Sequence, residues 1–179
     1  MKKSLITIAL LSGVLILNSC KSDKKTAGEN TVETINANQE AAAAALNNSG
    51  PKTYALTAAP ENVDLGKSKE AKVKVSNFKA VELFDPEGKL TGMELSYDIE
   101  LTNNKAIGEG KIFLNPGDFR LELDNGNKIT HDNYNPVTAE AESSKIVTGN
   151  KFRLPAGTKP KALHLFYDET RAIVNVELK

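Results

Sequence analysis

His131, Asp132 and Tyr134 bring the most versatile chemistry in this chain into one short stretch. A histidine beside a carboxylate can ligate a metal ion or relay a proton, and a phenol can orient either partner. Only His131 and His164 are present, so a zinc centre here would have to recruit carboxylates from elsewhere. The competing reading is a solvated turn. A second cluster, Asp118, Asp124, Asn125 and Asn127 around Gly126, offers oxygen ligands of the kind calcium takes. Its order lacks the graded acidic series and distal glutamate of an EF-hand loop. A hairpin turn demands Asp, Asn and Gly in any case, and Asp85 with Glu87 reads the same way. Ser143-Ser144-Lys145 sets a hydroxyl near an amine, yet nothing around it reads as an ordered base and oxyanion frame. The chain contains no HExxH, GxSxG, CxxC or glycine-rich phosphate loop. Lys72, Lys74, Lys79, Lys159 and Lys161 either line a groove for an anion or occupy outward strand positions that guard sheet edges. These residues predict no enzyme, no cofactor and no metal. The segment holding His131, Asp132 and Tyr134 is kept as the candidate ligand or partner loop.

One thiol remains. Cys20 is the only cysteine and closes an apolar stretch. Lys2 and Lys3 precede residues 5–17, an apolar run interrupted only by Thr7, Ser12 and Gly13. At about 1.5 Å per residue this run is too short for the roughly 30 Å hydrocarbon slab, so it reads as the h-region of a signal peptide. Leu17-Asn18-Ser19-Cys20 resembles the lipobox of bacterial lipoproteins, with Leu17 and small Ser19 in the matching places. The resemblance implies cleavage between Ser19 and Cys20, removal of residues 1–19, and lipid on the Cys20 thiol. Each buried methylene adds about 0.8 kcal/mol to anchoring, and stable attachment takes more than one chain. Lys21, rather than Asp, follows the anchor. By analogy with Gram-negative lipoproteins, that points to the outer membrane, on its periplasmic face or at the cell surface.

Loss of residues 1–19 removes two lysines and leaves 21 basic and 23 acidic residues, a net charge of −2. Such a balance offers no field for nucleic acid. With no tryptophan and ten Phe and Tyr together, the composition also argues against a sugar-stacking platform. A single cysteine leaves no internal disulfide, so the hydrophobic core alone must hold the fold.

Residues 20–52 carry few large aliphatics (Val32, Ile35 and Leu46) and read as a flexible linker, with residues 39–46 able to form a short Ala-rich helix. From residue 53 the period changes to two. Tyr54, Leu56 and Ala58 start a strand. Val73 and Val75 alternate with lysines, then the pattern slips to Phe78, Val81 and Leu83, predicting a bulge near Asn77. Met93, Leu95, Tyr97, Ile99 and Leu101 mark a long half-buried strand. Residues 111–114, then Phe119, Leu121 and Leu123, follow. Asp124 to Asn127 turn the chain into a hairpin. Residues 131–144 read as an irregular loop, residues 145–154 as a strand, and two alternating runs end the chain. The domain at 53–179 is therefore expected to be all-β: an antiparallel β-sandwich of seven to nine strands without helices. A small closed barrel is the alternative.

Residues 97–167 resemble the telobacteria-immunoprotective-like domain. The shared features are a long strand ending in Asn103-Asn104, the run Pro116-Gly117-Asp118-Phe119-Arg120-Leu121 leading to Gly126, and Leu154-Pro155-Ala156-Gly157 before Leu163-His164-Leu165-Phe166-Tyr167. The resemblance implies an immunoglobulin-like sandwich and carries no catalytic residues. With the lipobox, it leads to the expectation of a membrane-anchored envelope lipoprotein whose domain is a non-catalytic protein-interaction module, meeting an envelope or surface protein. A small-ligand or calcium-binding lipoprotein is the alternative, and a hydrolase the least favoured reading.

Overall fold

The computed structural model describes residues 50–179. The expected signal segment, Ser19, Cys20 and the Ala-rich stretch lie outside the described residues. No helix among the described residues is long and apolar enough to cross a membrane.

The described residues form eleven strands in order: β1 (Thr53–Ala59), β2 (Asn62–Leu65), β3 (Ala71–Phe84), β4 (Leu90–Asn103), β5 (Ile112–Leu114), β6 (Arg120–Leu123), β7 (Lys128–Ile129), β8 (Val137–Ala139), β9 (Ser143–Pro155), β10 (Pro160–Tyr167) and β11 (Thr170–Leu178). Among the described residues the only helical piece is a 3-10 turn, Pro116–Asp118, between β5 and β6. All pairings between these strands are antiparallel. Nine strands form one curled sheet in the order β7-β6-β10-β11-β1-β3-β4-β9, with β2 also on β3; β5 and β8 make a separate ribbon.

The curl turns on β1. Its first residues, Thr53 to Ala55, pair with Lys79 to Val81 of β3, while Leu56 to Ala59 pair with Leu178 to Asn175 of β11. One strand thus serves two half-sheets. Opposite, the segment after β7 reaches the β9 edge, where Asp132 and Asn133 donate to Lys151 O and Lys151 donates to Asn133 O. Between the half-sheets lies one continuous core. Val73, Val75, Leu95, Tyr97, Ile99, Phe152 and Leu154 come from one side; Leu121, Leu123, Leu163, Leu165, Val174 and Val176 come from the other. Burying each such large side chain contributes about 1.5–3 kcal/mol.

The strand count exceeds the expected seven to nine because β2 and β8 are too short to show a period, whereas β7 is the return strand of the hairpin expected after Asp124 to Asn127. The segment 131–144 is not an irregular loop throughout. It contains β8, which pairs with β5, and its end already belongs to β9. The bulge near Asn77 is present: the β3–β4 register shifts between Ser76 and Lys79. Asn77 has φ of 55° and donates Nδ2 to Asp98 Oδ2 at 2.8 Å, a conformation that asparagine tolerates better than most residues. Past the bulge, the inward residues are Phe78 and Ala80, whereas Val81 and Leu83 are only half-buried. The extra residue flips the face one position earlier than the hydrophobic pattern implies.

Close approach fixes one further position. Gly92 pairs with Pro155 across β4 and β9, and a Cβ there would collide with the carbonyl oxygen of Leu154.

Candidate functional site

His131 sits inside an aromatic cluster rather than in a solvated turn. Its ring stacks on Phe152, with centroids 3.9 Å apart and planes 29° apart. Tyr97 lies between Phe78 and Phe152, nearly parallel to both. The Tyr97 hydroxyl and His131 Nε2 are 2.8 Å apart. A buried neutral phenol has one proton to donate, and His131 is its hydrogen-bond partner, so the imidazole proton belongs on Nδ1. Nδ1 is itself buried without a hydrogen-bond partner among the described residues. Burial, aided by the nearby Arg120 charge, lowers the His131 pKa to about 4. Burial likewise raises the Tyr97 phenol well above its ordinary value. The histidine is therefore a neutral, half-buried residue packed against the aromatic core at physiological pH.

Its sequence neighbours go elsewhere. Asp132 faces Arg153 at 3.7 Å near the surface. Tyr134 is 42% exposed, meets His131 edge-on, and packs so closely over Gly117 that a Cβ there would come within 2.7 Å of its ring. Asn135 and Asn133 cap the β9 edge, donating their side-chain amides to Thr148 O and Gly149 O. The structure therefore joins His131 to Tyr134 by packing, and leaves Asp132 outside that cluster.

The other chemistry-bearing stretches close turns. Asp124 Oδ1 accepts from Lys159 N, and Asn125 Oδ1 from Asn127 N. Asp118 accepts from Asn115 Nδ2. Ser143 donates to Glu140 O, and Ser144 shares a hydrogen bond with Thr102 across the strands. Among the described residues, no three His, Cys, Asp or Glu side chains gather closely enough to hold a metal ion.

A different surface collects the functional groups. On the outer face of β6, β7, β10 and β11, the register places Glu122 opposite Lys128, Arg120 opposite His164, and Phe166 opposite Arg171. Glu122 accepts from Lys161 Nζ at 2.7 Å and lies 2.8 Å from His164 Nε2. Those two bonds, Lys161 first, hold its carboxyl down at about 2. Beside this cluster opens a groove of about 390 Å³ lined by Arg120, Lys128 and Arg171, with His164, Phe166 and Asp118. Arg120 Nη1 is held by Gly117 O at 2.9 Å and Phe119 O at 2.7 Å. Arg171 lies over the Phe166 ring at 5.9 Å. None of the three cations forms an ion pair with a carboxylate among the described residues. A second recess of about 340 Å³ shares Asp118 and Phe166 and adds Phe113 and Tyr167. Phe113, on the β5–β8 ribbon, is 57% exposed.

Sequence reasoning named His164 only as the second histidine and Lys161 only among lysines of a possible anion groove or outward strand positions, and it passed over Arg120, Lys128 and Arg171. Their only local signal is outward parity on their strands. That parity becomes informative once β6 is known to lie beside β10, and β10 beside β11.

The fold and this surface define an all-β, sandwich-like domain that offers an arginine- and aromatic-lined face. In comparisons with known proteins, the chain matches no protein-family model, no curated protein and no solved structure.

Proposed function

We propose that this chain is a membrane-anchored envelope lipoprotein of the outer membrane, tethered by lipid on Cys20. Its folded part acts as an immunoglobulin-like, non-catalytic protein-interaction module of the telobacteria-immunoprotective-like kind. The observation that carries the interaction reading is the paired surface of exposed Phe113, half-buried Phe166 and the unpaired Arg120 and Arg171. Aromatic and arginine side chains are enriched at protein interfaces and dominate their energetics. The curl through β1, with two half-sheets over one core, is compatible with a sandwich of that class. The partner is an envelope or surface protein.

The test is cross-linking of the full-length protein in living cells, followed by denaturing purification and identification of what is attached. One dominant partner, lost in a Phe113→Ser form that still folds, is the expected result. No enriched partner at native abundance would overturn the reading.

A small-ligand role is the second reading. It is favoured by a recess of about 370 Å³ with a largely apolar wall at the end of the sheet, formed in part by Tyr54, Leu90, Met93 and Leu178. It predicts a ligand-induced rise in melting temperature.

A further inference from the structure

We propose that the Arg120–Lys128–Arg171 groove and the adjoining Phe113–Phe166 recess form one binding site for an acidic peptide segment that carries an aromatic or aliphatic side chain. The inference rests on the interaction reading above and names the chemistry of the partner.

Charge complementarity selects the occupant. Some cations of the described domain, such as Lys67, Lys111, Lys151 and Arg153, have a carboxylate partner, and others, such as Lys72 and Lys79, have none among the described residues; Arg120, Lys128 and Arg171 stand apart because three cations without an ion pair line one groove. On this face Glu122 is already occupied by Lys161 and His164, so it leaves the neighbouring cations unneutralised. Asp118 is the one carboxylate lining the groove, set against Arg120, Lys128 and Arg171, and Asp168 is a second that lines only the adjoining recess, so the acidic groups of the segment belong in the groove and its apolar side chain in the recess. Arg120 is also pre-oriented. Two backbone carbonyls grip Nη1, and its remaining guanidinium nitrogens have no protein partner among the described residues. A guanidinium held this way loses little freedom when it receives a carboxylate, and its planar fork matches that group.

The aromatic recess decides between a peptide and a bare anion. Asp118 and Phe166 line both cavities, so the charged groove and the Phe113 recess adjoin. An inorganic anion would satisfy the arginines and leave Phe113 in water. A segment with acidic groups beside an apolar side chain fills both.

The test uses the full chain in detergent and three fluorescent eight-residue peptides with two phenylalanines each. One carries four glutamates, one carries four lysines, and one is neutral. Binding is followed by fluorescence anisotropy at two salt concentrations. The acidic peptide should bind best and weaken with salt. A Lys128→Gln/Arg171→Gln form should lose affinity about tenfold or more. A Lys72→Gln/Lys79→Gln form, which removes the same charge from the other half-sheet, should bind unchanged. Phe113→Ser should weaken the acidic peptide without changing its salt dependence. Equal binding of all three peptides, equal loss in both double variants, or no acidic binding below ~1 mM would each overturn the proposal. So would tight binding of inorganic phosphate or anionic vesicles that the acidic peptide fails to displace. In cells the two ideas separate: a cross-linked partner retained by Lys128→Gln/Arg171→Gln would sink this site and leave the interaction module standing.

Discussion

The half-buried imidazole of His131 should make this domain sensitive to mild acid. His131 has a folded pKa of about 4, below its ordinary value of 6.5. Between those values the unfolded chain takes up a proton that the folded chain refuses, so stability falls as pH drops from about 6.5 towards 4. The full effect is about 3 kcal/mol. His131→Phe should keep the stack on Phe152 and abolish this slope, while lowering stability at pH 7.5 by about 1–3 kcal/mol because the Tyr97 hydroxyl is stranded. Thermal unfolding of both proteins across pH 4–7.5 checks it; parallel curves would refute the assignment. Glu122 acts in a lower window. Its folded carboxyl titrates near 2, below the ordinary carboxylate value of 4.5. Its contribution is therefore complete above the unfolded value and disappears as pH falls through about 2. Glu122→Gln should be flat across that interval in acid titrations where the parent declines.

At the scale of elements, the fold depends on side chains that close strand ends and edges. Asn103 ends β4 fully buried. Its Nδ2 donates to Gly110 O and to Ala139 O of β8, and its Oδ1 accepts from Lys105 N. One amide thus ties the β4–β5 connection and the β5–β8 ribbon to the main sheet. Asn103→Ala would leave these backbone groups without their partner. It should cost about 2–3 kcal/mol, at about 1 kcal/mol per lost bond, and the amides of β5 and β8 should exchange hydrogen faster than those of β3 and β4. Uniform loss of protection would argue that the ribbon is not held separately. Asn133 and Asn135 perform the matching service for β9, covering carbonyls that would otherwise present an edge to another chain.

For the whole molecule, the main expectation concerns location. If Cys20 carries the anchor, Cys20→Ala should move the protein from the membrane fraction to a soluble one. The thermal stability of the domain at 53–179 should not change, because that domain has its own continuous core. Fractionation with metabolic lipid labelling checks both halves. Membrane retention of the unlabelled variant would count against the lipid anchor.

Period-two alternation in Met93 to Leu101 and in Ala172 to Leu178 was enough to determine an all-β domain and most inward residues, because pleating alone assigns alternate side chains to opposite faces. The turns at Asp85 to Gly88 and Asp124 to Asn127 were legible for a similarly local reason: backbone geometry there restricts residue type. The bulge at Asn77 was visible as a slip, although which residues face inward beyond it was not. Tertiary structure decided the rest. No local pattern reveals that β1 divides its partners between β3 and β11, since strand pairing is non-local. Nor could alternation show that His131 enters the core through a contact with Tyr97, 34 residues earlier in the chain. The cationic groove is the clearest case: Arg120, Lys128 and Arg171 are unremarkable outward residues until cross-strand register sets them around one cavity, because electrostatic attraction depends on distance in space rather than along the chain.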